Sequence, residues 1–260
     1  MNDALYIAAT GMHTQQRSVD TIANNLANVN TPGYKKGRVN FEDMVYRGIG
    51  GAAQAQGGQA PASLWQGTGV GMLSLSKVFT PGEIKKTDLP LDVAIQGDGF
   101  LEVVATDGAA AYSRGGSLMV DKDGLLATAD GHALKPGIHV GVDAQEITLK
   151  ADGRVLVRNR EQGEAVEVGR IELTRFSDTT GLVAMGGNLY RPSERSGDAI
   201  YGRPGEDGMG GIAQGHLESS NVKLIEEMVD LMVAQRAYES SVKVIQASDE
   251  MLAMSNNLRK

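Results

Sequence analysis

Apolar residues at the two ends of the chain recur with the spacing of helices that pack against other helices. Leu5, Ala8, Met12, Gln15, Val19, Ile22, Leu26 and Val29 are separated by alternating steps of three and four, and all but Gln15 are apolar. This spacing predicts a heptad seam about four repeats long. Asn2 or Asp3 can cap its start, and Pro32 should stop it near Asn28, because the residue before a proline is pushed out of the α region. Pro32-Gly33 then suits a type II turn. At the other end Leu224, Met228, Leu231, Gln235, Tyr238, Val242, Ile245, Asp249 and Leu252 repeat the pattern, with Gln235 and Asp249 as the polar exceptions. A helix from about Asn221 to Asn257 would be roughly 55 Å long, and that length without a breaker favours a coiled coil.

Between the helices the period falls to two. Leu91–Ile95, Phe100–Val104, Leu118–Val120, Leu125–Thr128, Ile138–Val142, Ile147–Leu149, Arg154–Val157 and Val166–Phe176 read as strands. Asp-Gly recurs at Asp98, Asp107, Asp123, Asp130, Asp152 and Asp207, and this pair supplies the positive φ of tight hairpin turns. No helical pattern lies between these strands, which argues against a parallel βαβ arrangement. Gly48–Gly71 and Gly186–Gly215 read as connectors or surface excursions. The first carries Leu64 and Trp65, an apolar pair suited to docking on something.

The expected fold class is α+β: long N- and C-terminal helices forming an antiparallel coiled coil, with a central antiparallel β-rich domain. The expected division is residues 1–30 for the first helix, 31–90 for a linker region with an insertion at 48–66, 91–215 for the β domain and 216–260 for the second helix. Gln15 and Gln235 interrupt the two seams in a matched way, so a shared glutamine layer could fix register. Two such helices leave apolar edges that a single chain does not cover. They are therefore expected to become ordered when neighbouring copies surround them.

Composition narrows the chemistry. At 260 residues with 41% hydrophobic positions the chain can bury a core, whereas 5% aromatics and 34 glycines suggest thin, turn-rich layers. A net charge of −7 with no basic run makes nucleic acid an improbable partner. The absence of cysteine removes disulfides, thiolate catalysis and Cys-based metal sites. Asp3 stands where a signal peptide carries positive charge, and no apolar run is long enough to span a membrane. Enzyme-like signals are weak. Gly67–Gly71 lacks the spacing and the lysine of a phosphate loop. Asp121-Lys122-Asp123-Gly124 imitates the start of a calcium loop, but His132 stands where the bidentate glutamate belongs, so a β-turn is expected. The scattered histidines and the Glu226-Glu227 and Asp249-Glu250 pairs read as surface groups, so no catalytic, cofactor or metal residues are expected.

The segment Asn24-Asn25-Leu26-Ala27-Asn28-Val29-Asn30-Thr31-Pro32-Gly33-Tyr34-Lys35 resembles the signature of the bacterial flagellar rod and hook axial proteins. Leu91–Phe100 (LDVAIQGDGF) and Ser220–Leu252 resemble two further family motifs, in the same order. Length, Phe41-Glu42-Asp43 and the insertion ending Gly67-Thr68-Gly69-Val70 are most similar to the distal rod members, although the Gly/Ala/Gln composition of 48–66 departs from them.

The resemblance implies a structural subunit, not an enzyme, that is exported unfolded by the flagellar type III apparatus without a cleaved signal peptide. It implies self-assembly into a rigid helical tube of the basal body that spans the periplasm, encloses the export channel and transmits torque from motor to hook. The implied partners are other copies, other rod subunits, the hook protein and the P and L ring proteins. No small-molecule substrate or cofactor is implied. The assembly seam is assigned to Leu5, Met12, Val19, Ile22, Leu26, Leu224, Leu231, Tyr238, Val242, Ile245 and Leu252. Leu64 and Trp65 belong to the expected inter-subunit brace. Two alternatives stay open at this stage: another axial subunit of proximal rod or hook type, and a secreted β-rich enzyme or carbohydrate-binding module with carboxylates converging within residues 90–215.

Overall fold

The computed structural model describes residues 2–44, 47–49, 64–141, 144–159 and 164–257. It is α+β, with helix α1 over Asn2–Ala27, helix α2 over Leu224–Asn257 and antiparallel strand pairs between them. The chain divides into two compact units. One comprises Met1–Leu26, Gly37–Leu75 and Leu224–Lys260, and the other Ala27–Lys36 and Ser76–Lys223. α1 ends as the proline rule requires: the Thr31 amide donates to the Asn28 carbonyl at 3.1 Å, and Gly33 adopts a φ of +71° in the turn beyond Pro32. α2 contains neither glycine nor proline, so nothing in its backbone interrupts 34 helical residues.

The second unit is built from sheets. A six-stranded sheet runs in the order Val183–Gly186, Leu189–Arg191, Ala110–Ser113, Phe100–Val104, Leu173–Arg175 and Ile200–Gly202. A four-stranded sheet joins Leu126–Thr128, Gly115–Val120, Asp92–Gln96 and Gly211–Gln214, and a three-stranded one joins Ala144–Leu149, Arg154–Asn159 and Val166–Arg170. Val93, Ile95, Leu101, Val103, Leu126, Val155 and Leu173 from these sheets form one buried core together with Ile171, which lies between two of the strands. Five aromatics gather in one cluster. Phe79, Phe100, Tyr112, Phe176 and Tyr190 stack edge to face with centroids 4.8 to 6.3 Å apart, the geometry that aligns ring edges with neighbouring faces.

Turn chemistry follows the sequence in part. Asp152-Gly153 closes a hairpin between Ala144–Leu149 and Arg154–Asn159, and a β-carbon on Gly153 would meet the Ile171 carbonyl at 2.4 Å. Asp123-Gly124 makes the expected β-turn, with the Gly124 amide donating to the Asp121 carbonyl at 2.9 Å. Asp98-Gly99 and Asp207-Gly208 are not hairpins. Each connects strands of different sheets.

Other expectations need correction. Within Ile138–Val142, residues 138–141 make one isolated bridge at His139 instead of a strand, and Val142 lies outside the described residues. The Leu126 amide and the Gly124 carbonyl take up the polar groups of Ile138 and Val140, so this segment is pinned to a turn. Val166–Phe176 breaks at Ile171 into two strands of different sheets. Gly186–Gly215 is not a plain connector, since it contributes Leu189–Arg191, Ile200–Gly202 and Gly211–Gln214 to sheets. Strands of three or four residues are too short to display alternation.

Buried charge holds the second unit together at one point. The Lys35 ammonium donates to Glu218 Oε1 at 2.6 Å and to the Thr80 carbonyl at 2.8 Å, and the Gly82 amide donates to the same Oε1 at 2.7 Å. Arg114 Nε lies 3.4 Å from Glu218 Oε2, and its terminal nitrogens donate to the Gly99 and Gly97 carbonyls at 2.6 and 2.9 Å. The side chains of Lys35, Glu218 and Arg114 are 0%, 2% and 4% exposed. Burial pulls the Lys35 pKa below its ordinary value, against the hydrogen bond and charge of Glu218.

Removing one member of such a cluster strands the others. Glu218→Ala is therefore expected to destabilise the protein by about 3–5 kcal/mol. Lys86→Ala, which breaks an exposed pair with Asp88, should leave stability unchanged within error. Urea unfolding of both variants checks this, and equal losses would contradict it.

Candidate assembly surface

Two contacts fix how α1 and α2 lie within their unit. Asn25 Nδ2 donates to Glu227 Oε2 at 3.0 Å, and a β-carbon added to Gly11 would stand 3.6 Å from Ser241 Oγ. Gly11 precedes Asn25 by as many residues as Glu227 precedes Ser241, so the helices run antiparallel. Asn25 also brackets Gly37, accepting from its amide at 2.7 Å and donating to its carbonyl at 3.0 Å. Asn25 and Glu227 are 2% and 1% exposed. Glu227 was expected on a solvated face; its partners explain its burial.

The inner face of α2 differs from the assigned seam. Glu227, Ala234, Ser241 and Ser248 recur every seven residues, and all are buried except Ser241, which is half-buried. Leu231, Ile245 and Leu252 are half-buried between them, whereas Leu224 and Tyr238 are exposed. Small residues let helices approach, yet they make no signal in a hydrophobic pattern. On α1, Ile22 is buried and Leu5, Met12, Val19 and Leu26 are half-buried, as is Val242 on α2. Gln15 is half-buried but Gln235 is exposed, so the two do not share a buried layer within one chain.

The opposite side of α2 is also apolar over its first third. Ile225, Met228, Val229, Met232 and Val233 are 47–77% exposed. Farther along the same side stand Arg236, Glu239, Lys243 and Glu250. A second apolar patch lies on the two-stranded sheet of Gly37–Asp43 and Val70–Lys77. Asn40 Nδ2 donates to Ser74 Oγ at 3.0 Å, placing those side chains on one face. By alternation Phe41, Leu73 and Leu75, all exposed, share the other. The expected brace is described only at its base, where Gly48 pairs with Trp65 and Ile49 with Leu64 in antiparallel register. Residues 50–63 and the side chains of Leu64 and Trp65 lie outside the described residues.

The motif residues after α1 serve as internal ties. Thr31 Oγ1 donates to Asn28 Oδ1 at 3.2 Å, the Tyr34 amide to the Thr31 carbonyl at 3.2 Å, and the Gly33 amide to the Glu218 carbonyl at 2.7 Å. The Pro32 carbonyl accepts from Asn188, and the Lys77 ammonium sits 4.2 Å from the Tyr34 ring centroid. Asn221 Oδ1 accepts from the Lys36 amide at 2.8 Å while its Nδ2 donates to the Val78 carbonyl at 2.7 Å. Asn24 is exposed and Ala27 is exposed at the helix end. Sequence reasoning gave no role to Lys35, Glu218, Arg114, Asn221 or Glu227. Lys35, Asn221 and Glu227 lie inside the motif segments, which was the available signal.

The second unit also has a cleft of about 280 Å³ lined by Phe79, Phe100, Arg114, Arg175, Asp98 and Asp178. Hydrogen bonds from the Thr180 hydroxyl and amide hold the Asp178 carboxyl below the usual carboxylate range. At neutral pH it is ionised and is no proton donor. Among the described residues no group of three His, Asp or Glu side chains is placed to hold a metal ion.

Comparison with known proteins agrees along the chain. Residues 5–35 match the family described as flagella basal body rod protein, residues 94–157 the D1 domain of the flagellar hook proteins FlgE/F/G, and residues 213–258 the C-terminal domain of the flagellar basal body rod proteins FlgEFG. The chain is 43% identical to the flagellar basal-body rod protein FlgG of Borreliella burgdorferi, with all of both chains aligned. It is 38% identical to FlgG of Bacillus subtilis over 99% of each chain, and 34% identical to FlgF of Caulobacter vibrioides over 96% of this chain and 95% of that one. Identity at this level over the full length, with the three domains in order, makes the chain a member of the flagellar basal-body rod protein family.

Proposed function

We propose that the chain is the repeating subunit of the distal rod, a self-assembling helical tube that carries torque from motor to hook and encloses the export channel. The observation that carries this reading is the first third of α2, which meets α1 through Glu227 and Ala234 and leaves Ile225, Met228, Val229, Met232 and Val233 exposed on the face away from it. A contiguous exposed apolar patch marks an interaction surface, and neighbouring copies supply its cover. Head-to-tail contacts that do not close on themselves give an open helical assembly. Between copies the terminal helices form coiled coils whose seams draw on Leu5, Met12, Val19, Ile22, Leu26, Leu224, Leu231, Tyr238, Val242, Ile245 and Leu252. Residues 48–66, with Leu64 and Trp65, brace adjacent subunits.

Family membership supports the rest of the reading. The subunit does no chemistry. It passes through the type III export apparatus without a cleaved signal peptide, joins other rod subunits and the hook protein, and turns within the P and L rings as it crosses the periplasm.

Electron microscopy and circular dichroism of the purified chain test this together. Dispersed chain should lose both ends to limited proteolysis while a β-rich core survives, and helix content should rise as tubes form. Ends that resist protease in a dilute monomer would contradict coupled ordering. Ile22→Asp and Leu231→Asp should abolish tubes and leave the β core folded, because an unpaired charge at a covered apolar site costs several kcal/mol, about 3 or more. Normal tube yield from either variant would show that these positions are not at the seam.

A further inference from the structure

Each copy carries two exposed apolar patches of different shape: a convex helical one at Ile225, Val229 and Val233 on α2, and a flat one at Phe41, Leu73 and Leu75 on the two-stranded sheet. We infer that they pair with each other between copies, the helical patch of one copy docking on the sheet patch of the next. This rests on the tube-forming function proposed above and specifies which surfaces meet.

Three observations support the pairing. The first is closure. A patch that paired with its own kind in a second copy would make a two-fold dimer and use itself up, whereas unlike patches leave each added copy with a free partner at both ends. The second is reach. Ile225 to Val233 spans about 12 Å at the helical rise, and Phe41 to Asp43 with the facing residues Leu73 and Leu75 covers about the same length at the strand rise. The third is charge. Directly beyond Val233 the helix presents exposed Arg236, and Asp43 follows Phe41 by two residues and therefore shares its face. Aligning the apolar centres brings this cation to the end of the sheet patch where the carboxylate stands. Met228 and Met232 border the helical patch, and their unbranched side chains adapt to an imperfect fit.

The chain has no cysteine, so thiols introduced singly report only on the designed contact. Leu73→Cys and Val229→Cys chains are purified separately, checked for unchanged circular dichroism, mixed, polymerised and oxidised. The expected product is a crosslink between one Leu73→Cys and one Val229→Cys chain, with little product from either variant alone. Predominant Leu73→Cys self-crosslinks, or tubes that form without the mixed crosslink, would overturn the pairing while leaving the tube-forming reading intact. No polymer from the parent chain would overturn that reading and the pairing with it. In addition, Arg236→Asp and Asp43→Arg should each lower tube yield and the double variant should restore it. A double variant worse than either single one would overturn the alignment.

Discussion

A helix that turns large apolar residues away from the neighbour it packs on cannot be satisfied by that neighbour alone. α2 places Glu227, Ala234 and Ser241 toward α1 and Ile225, Val229 and Val233 away from it. The contact with α1 uses small and polar groups, which bring the backbones close but bury little apolar area. The larger hydrophobes are left on the outside, where each costs about 1.5–3 kcal/mol of unrealised burial. That imbalance gives a drive toward assembly that the single chain cannot discharge internally. The same logic extends to Phe41, Leu73 and Leu75, which stand exposed on the two-stranded sheet.

Against this surface, the β unit is internally complete. Its largest polar commitment is the Lys35–Glu218–Arg114 cluster, which joins residues far apart in sequence and satisfies the carbonyls of Thr80, Gly97 and Gly99. Buried ion clusters of this kind add little net stability over an apolar replacement, but losing one member is costly. Geometry is thereby specified: the turn after α1, the Gly97–Gly99 crossing between sheets and the strand His216–Glu218 all meet one carboxylate. Torque passing through a tube needs subunits that do not deform, and a core tied at one charged point together with an edge-to-face aromatic cluster fits that need.

Much of the fold was legible in the sequence because it rests on period. Both helices and several strands of the β unit followed from spacing alone, and Thr31-Pro32-Gly33 marked the end of α1, but the two long strands Gly37–Asp43 and Val70–Lys77 fell in the expected linker region. Where period was absent, reading failed. Strands such as Leu189–Arg191 and Ile200–Gly202 are too short to alternate visibly, and Ile138–Val140 looks extended and apolar but spends its hydrogen bonds on a turn. The helix contact was legible only in part for a physical reason: heptad analysis follows large hydrophobes such as Leu231, Val242 and Ile245, which are half-buried, whereas the small residues Ala234, Ser241 and Ser248 on the inner face give no hydrophobic signal. Glu227 illustrates the same limit, since a carboxylate reads as solvated until Asn25 appears beside it. The family motifs were recognisable as strings, yet their work as hydrogen-bonding ties through Asn25, Lys35 and Asn221 depends on partners more than 10 residues away and often more than 100.

The most direct test of the covered outer face is hydroxyl-radical footprinting of methionine in dispersed chain and in polymer. Met228 and Met232 stand on that face, while Met185 is exposed on an edge strand of the β unit and serves as the reference. Strong protection of Met228 and Met232 on polymerisation, relative to Met185, is the predicted result. Equal oxidation of Met228 and Met232 in both states would contradict it, since the outer face of α2 would then remain in water within the assembled tube.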